Sequence, residues 1–131
     1  MALQGPFVVV ADSPAEDVVA ALRAAGAFPV IEAAWADAPA ALKSVEPEAI
    51  VLAEPCADRA LHEALARSLD ERHLGGSGAF TPIIARTRDD GAPPLPHALA
   101  IPADAPAERI TRRLASVLRV RACLLYTSRC V

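Results

Sequence analysis

Five short, uninterrupted apolar runs constrain this chain more than any other feature: Phe7 to Val10, Phe28 to Ile31, Ala49 to Ala53, Pro82 to Ala85, and Ala98 to Ile101. A strand with one wet face alternates apolar and polar side chains, whereas a strand covered on both faces has no need to. Runs of this kind predict strands of a buried parallel sheet. Parallel neighbours need crossovers long enough to carry helices, and the segments between most of the runs have helical patterning. The length of 131 residues leaves room for one such core.

The helical segments carry their own start and stop signals. Ser13-Pro14-Ala15-Glu16 offers an N-cap, a proline at the first helical position and a capping-box glutamate, after which Val18, Val19, Leu22 and Ala25 share a face. Gly26 ends that helix. A second helix is predicted over Ala38 to Ser44, with Asp37 as its N-cap, Leu42 facing inward and Pro47 beyond its end. The third runs from about Ala57 to Arg72 with Leu61, Leu65 and Leu69 in one stripe. Gly75 to Gly78 reads as a loop, and Arg88 to Pro96, with prolines at 93, 94 and 96, predicts an irregular crossover in place of a helix. The last helix begins near Pro106, with Ile110, Leu114, Val117 and Leu118 on one face and Arg109, Arg112, Arg113 and Arg119 outside it. The order predicts an α/β doubly wound five-stranded parallel sheet, with function at the carboxyl ends of the strands.

Composition narrows the function classes. Thirteen basic side chains against sixteen acidic give a net charge of −3, and 4% aromatic content supplies few stacking platforms, which argues against nucleic acid as the partner. The Arg109 to Arg121 helix reads as a solvated or docking face in a net-acidic chain. No apolar run reaches the roughly 20 residues of a membrane helix, and Met1 to Gly5 lacks the regions of a secretion signal, so the expectation is a cytoplasmic protein with no membrane association. The residues from Cys123 to Val131 differ in composition, holding two of the three cysteines and the single tyrosine. Cys-Leu-Leu-Tyr-Thr-Ser resembles a translated transposase sequencing adapter, and Arg-Cys-Val followed by a stop resembles its reverse complement. Residues 1–122 are therefore expected to form the domain, and 123–131 a non-native tail. Without Arg129 the net charge becomes −4, and Cys56 is left as the lone thiol, so neither a disulfide nor a cysteine-based metal site can be built within the domain.

From Phe7 to about Arg121 the chain resembles the receiver domain of bacterial two-component response regulators, which implies the flavodoxin-like version of the doubly wound sheet. The likeness lies in VVVADSP after the first strand, PEAIVLAEP around the third, TPIIARTR at the fourth, and ALAIPADAPAERI from the fifth into the last helix. A working receiver holds Mg²⁺ with two acids after the first strand and an acceptor aspartate after the third. It balances the phosphoryl group with a Thr or Ser after the fourth strand and a Lys after the fifth. Carried over by position, the resemblance puts Ala11 and Asp12 at the acidic pair and Ala53, beside Glu54, at the acceptor. It puts Thr87 at the hydroxyl and Ile101 at the lysine. The only lysine in the chain, Lys43, lies in the second helix, so no shift of alignment restores that group.

The resemblance thus implies a receiver fold without phosphotransfer: a pseudo-receiver with no cofactor, unable to hold Mg²⁺ tightly and not itself an enzyme. Its implied partners are proteins: its own output domain, a second copy, or a component of a histidine-kinase pathway. FVVVADSP and the helix running on past LASVLRVRA most resemble the N-terminal segments of alphaproteobacterial diguanylate cyclase (GGDEF) proteins, whose output would lie beyond residue 122.

Individual residues have two readings each. Asp12 is a remnant metal ligand or a neighbour of the first helix's positive end. Glu54 is a solvated strand-end carboxylate or a mimic of the missing phosphoryl group, with Thr87 bonding either to it or to backbone. Trp35 is a packing residue or an interface anchor on the short second helix. Cys56 is a small buried residue or a redox thiol. His62, His73 and His97 are too dispersed for a metal motif. Two rival functions remain: a phosphorylatable regulator using Glu54 or Asp58 as acceptor, and a small flavodoxin-like cofactor binder. The latter calls for a glycine-rich phosphate loop, and Ala11-Asp12-Ser13-Pro14-Ala15 contains no glycine.

Overall fold

The computed structural model describes residues 3, 5–55, 58–74, 81–87 and 98–129, with the side chains of 70–74 and 120–129 outside the description. The elements, in order, are β1 (Phe7–Val10), α1 (Glu16–Ala24), β2 (Val30–Ala33), α2 (Ala38–Ser44), β3 (Ala49–Leu52), α3 (Arg59–Leu74), β4 (Ile83–Thr87), β5 (Ala98–Pro102) and α4 (Ala107–Arg129). The strands form one sheet in the order β2-β1-β3-β4-β5, every pair parallel. This is the flavodoxin-like order of the doubly wound fold, with its switch point between β1 and β3. Gly75 to Gly78 and the irregular crossover expected over Arg88 to Pro96 lie outside the described residues.

The apolar runs behave as strands covered on both sides. Phe7, Val8, Val9 and Val10 are all buried, as are Ala49, Ile50, Val51 and Leu52. The pleat sends alternate residues to two separate cores. Phe7, Val9, Val51 and Ile84 pack with Val18, Val19 and Leu22 of α1 and with Ile110 and Leu114 of α4. On the opposite face Val8, Val10, Ile50, Leu52, Ile83 and Ala85 pack with Leu42 of α2 and Leu65 and Leu69 of α3. Each fully buried Val, Leu, Ile or Phe contributes about 1.5–3 kcal/mol relative to exposure. Both faces are therefore needed to hold the sheet.

Several boundaries differ from expectation. The second strand is Val30–Ala33, not Phe28 to Ile31, because Phe7 pairs with Val30 and donates its N–H to the Pro29 carbonyl. Phe28 makes only an isolated antiparallel bridge to Gly5 and is 79% exposed. Helix α1 is capped at Ala15 with no side-chain bond, so Ser13 is not the N-cap. Its end does follow the glycine signal. Gly26, at φ +100°, donates to the Arg23 carbonyl while Ala27 donates to that of Leu22, a Schellman pair. Helix α4 runs unbroken through Ala122 and Cys123 to Arg129, so the segment set aside as foreign is helical over most of its length.

Candidate functional site

At the carboxyl edge, strand register sorts the side chains into rows. Val10 pairs with Leu52 and Leu52 with Ala85, while Arg86 pairs with Ile101 and Thr87 with Pro102. One step beyond the Val10–Leu52–Ala85 row come Ala11, Ala53, Arg86 and Ile101, on the face of α1 and α4. The next step brings Asp12, Glu54 and Thr87, on the face of α2 and α3. The backbone confirms that Ala11 and Ala53 continue their strands, since Ala11 N–H donates to the Ala33 carbonyl and Ala53 N–H to that of Val10.

The α1/α4 row is apolar except for one cation. Ala53 is 4% exposed and Ile101 2%. Arg86 enters this row with its guanidinium largely buried; its Nη2 lies 3.0 Å from Asp17 Oδ2 and 3.1 Å from the Ala105 carbonyl oxygen. Its Nε is buried with no partner among the described residues. The hydrogen bond from Arg86 is the main force holding the Asp17 carboxyl below its ordinary pKa, and burial, the next largest influence, opposes it. Sequence reasoning passed over Arg86; an arginine inside the otherwise apolar IIART was the signal that could have found it.

In the second row, the Glu54 carboxylate turns toward the chain itself. Oε1 accepts the backbone N–H of Asp12 and, at 2.9 Å, that of Ser13. The carboxylate therefore occupies the two donors that open the β1–α1 loop, which corrects the reading of Glu54 as simply solvated. Asp12 is exposed, but its Oδ1 accepts the Trp35 backbone N–H at 3.0 Å, tying the β1–α1 loop to the segment before α2. Thr87 is buried, and among the described residues its hydroxyl bonds neither Glu54 nor backbone.

Trp35 is 1% exposed, which decides for packing over an interface anchor. Its ring centroid lies 4.7 Å from that of His62 on α3, with the planes tilted 33°. Asp58 Oδ1 accepts the Ala60 N–H at 2.9 Å, a cap at the start of α3. Among the described residues no three His, Cys, Asp or Glu side chains are grouped to hold a metal ion, and no helix is long and apolar enough to cross a membrane. His73, by its side chain, and Cys56 and His97 entirely lie outside the described residues.

No protein-family model and no curated protein matches this chain. Among solved structures it is similar to a C2-type ketoreductase from a modular polyketide synthase, with a TM-score of 0.55 and 19% identity over 88% of this chain and 36% of that one. The likeness supports the doubly wound α/β fold. The chain spans little more than a third of the length of that enzyme.

Proposed function

We propose that this domain is a pseudo-receiver: a regulatory and docking module of a cytoplasmic bacterial two-component-type signalling protein that does not take up a phosphoryl group. The observation that carries the reading is the row Ala11–Ala53–Arg86–Ile101, which has a methyl group at the acceptor position and a branched alkyl chain where the lysine is expected. Acyl phosphate formation needs a carboxylate nucleophile and cations on the transferred oxygens. Glu54, the nearest acid in sequence, holds the N–H groups of Asp12 and Ser13. Its partners in this reading are proteins, its own output domain first; a diguanylate cyclase output beyond residue 122 is the most specific form of the proposal.

Incubation with acetyl phosphate and Mg²⁺, followed by intact mass measurement, tests the central statement. The expected result is no phosphoryl adduct. An adduct mapped to Glu54 or Asp58 would establish the phosphorylatable rival instead. Recovery of the uninterrupted gene across the Ala122 codon tests the output domain, which a GGDEF motif in the continuing frame would supply.

The ketoreductase likeness favours a second reading, a nucleotide-binding fragment of the same general fold. Against it stands the β1–α1 loop, where a dinucleotide's pyrophosphate would need a glycine-rich turn and open N–H groups. Here the residues are Ala11, Asp12, Ser13, Pro14 and Ala15, and the first N–H donors are filled by Glu54. Titration with NADPH, monitored by its fluorescence, separates the readings: the pseudo-receiver gives no saturable signal.

A further inference from the structure

Three of the loops at the carboxyl edge are joined by bonds that run in series. Glu54, after β3, holds the backbone N–H groups of Asp12 and Ser13, after β1. Asp12 in turn accepts the backbone N–H of Trp35, after β2. The Trp35 ring then rests against His62 on α3, the helix that follows Glu54. The circuit leaves the β3–α3 segment and returns to it.

Asp12 is the joint of this circuit because it serves both links with different atoms. Its N–H is fixed by Glu54, and that fixes where its own carboxylate projects toward Trp35. Releasing the N–H frees the φ and ψ of Asp12 and moves the acceptor on which the Trp35 amide depends.

We propose that Glu54, Asp12 and Trp35 form a relay that couples the loops at the carboxyl edge of the sheet to helix α3 as one conformational unit. Any contact that draws the Glu54 carboxylate off the Asp12 and Ser13 amides loosens Trp35, which follows the strand two positions from β3 in the sheet, and alters its seat against His62. The relay is independent of whether the domain was ever phosphorylated.

Trp35 is the only tryptophan, so its emission reports the far end of the relay without labelling. The test uses the full chain with Glu54→Ala, Asp12→Ala and the double substitution, each checked by far-UV circular dichroism. Coupling between sites is typically worth a factor of about 5 or more. Glu54→Ala is therefore expected to speed native-state exchange of the Trp35 amide hydrogen about fivefold or more and to shift its emission. The double variant should go no further than Asp12→Ala alone. Should Glu54→Ala fail to fold, Glu54→Gln keeps an oxygen acceptor without the charge and should give a smaller change in the same direction. Unchanged Trp35 exchange and emission in a folded Glu54 variant would overturn the proposal, as would an equal effect from Asp37→Asn, a carboxylate at the same edge outside the circuit.

Discussion

Arg86 reaches from β4 to place its Nη2 3.0 Å from the Asp17 carboxylate on the first turn of α1, joining two elements 69 residues apart in sequence. The same guanidinium nitrogen donates to the Ala105 carbonyl at 3.1 Å, just before α4. The cation thus pins the two helices that cover one face of the sheet, at its carboxyl edge.

This pair sets a pH dependence with a definite sign. Asp17 has a lowered pKa in the folded state, chiefly through the Arg86 bond, so the unfolded chain binds its proton more readily. The stabilisation is complete above the unfolded value of about 3.9 and is lost as pH falls through the lower folded value. The carboxylate is 58% exposed, and solvent screening keeps its worth within about 0–1 kcal/mol. Urea titrations of wild type and Asp17→Asn should differ by that amount at pH 7 and converge in strong acid.

Thr87→Val should stabilise the protein. The hydroxyl is buried and has no partner among the described residues, and its desolvation costs about 1–3 kcal/mol. Valine has nearly the same shape, so a gain on the order of 1 kcal/mol in urea denaturation is expected. A loss of stability would mean that the hydroxyl is satisfied in solution.

Gly26→Ala should act in the opposite direction. At φ +100° the residue terminates α1 through its bond to Arg23, and a side chain there costs roughly 1–2 kcal/mol. The thermal midpoint should fall while the far-UV spectrum keeps its shape. A neutral result would show that α1 can end another way.

Leu114→Ala tests whether α4 belongs to the fold's core. The side chain is fully buried against the α1 face of the sheet, and truncation to alanine typically costs 2–5 kcal/mol. A loss under about 1 kcal/mol, the range of surface changes, would mean that the helix is not docked as described.

Much of this architecture was legible because its causes are local. Val8 and Val9 announce a strand buried on both faces by being neighbours, and Asp37, Leu42 and Pro47 bracket a helix whose boundaries, Ala38 to Ser44, match the expectation. Phe28 misled because its apolar ring suggests burial, whereas the pairing of β2 is set by where β1 finds its acceptor, at Pro29. The edge chemistry was legible only as an inventory. That Ala53 and Ile101 fall where the receiver resemblance implies charged groups can be read from the string. That Glu54 turns back to bond Ser13, 41 positions earlier, cannot, because no local pattern specifies a long-range bond. Arg86 went unnoticed for the same reason, its partners being Asp17 and the carbonyl of Ala105.

Helix α4 has one property that its neighbours lack, which is reach. Its 23 residues extend about 35 Å at 1.5 Å per residue, against about 17 Å for the five residues of β5 beside it. Each residue also turns the helix by about 100°, so length and azimuth are locked together. One residue inserted after Leu118 would swing everything downstream a quarter-turn or more about the axis, while seven would restore the heading to within about 20°. The helix is thus a shaft keyed to the core at Ile110 and Leu114, and every residue added to it sets a new heading.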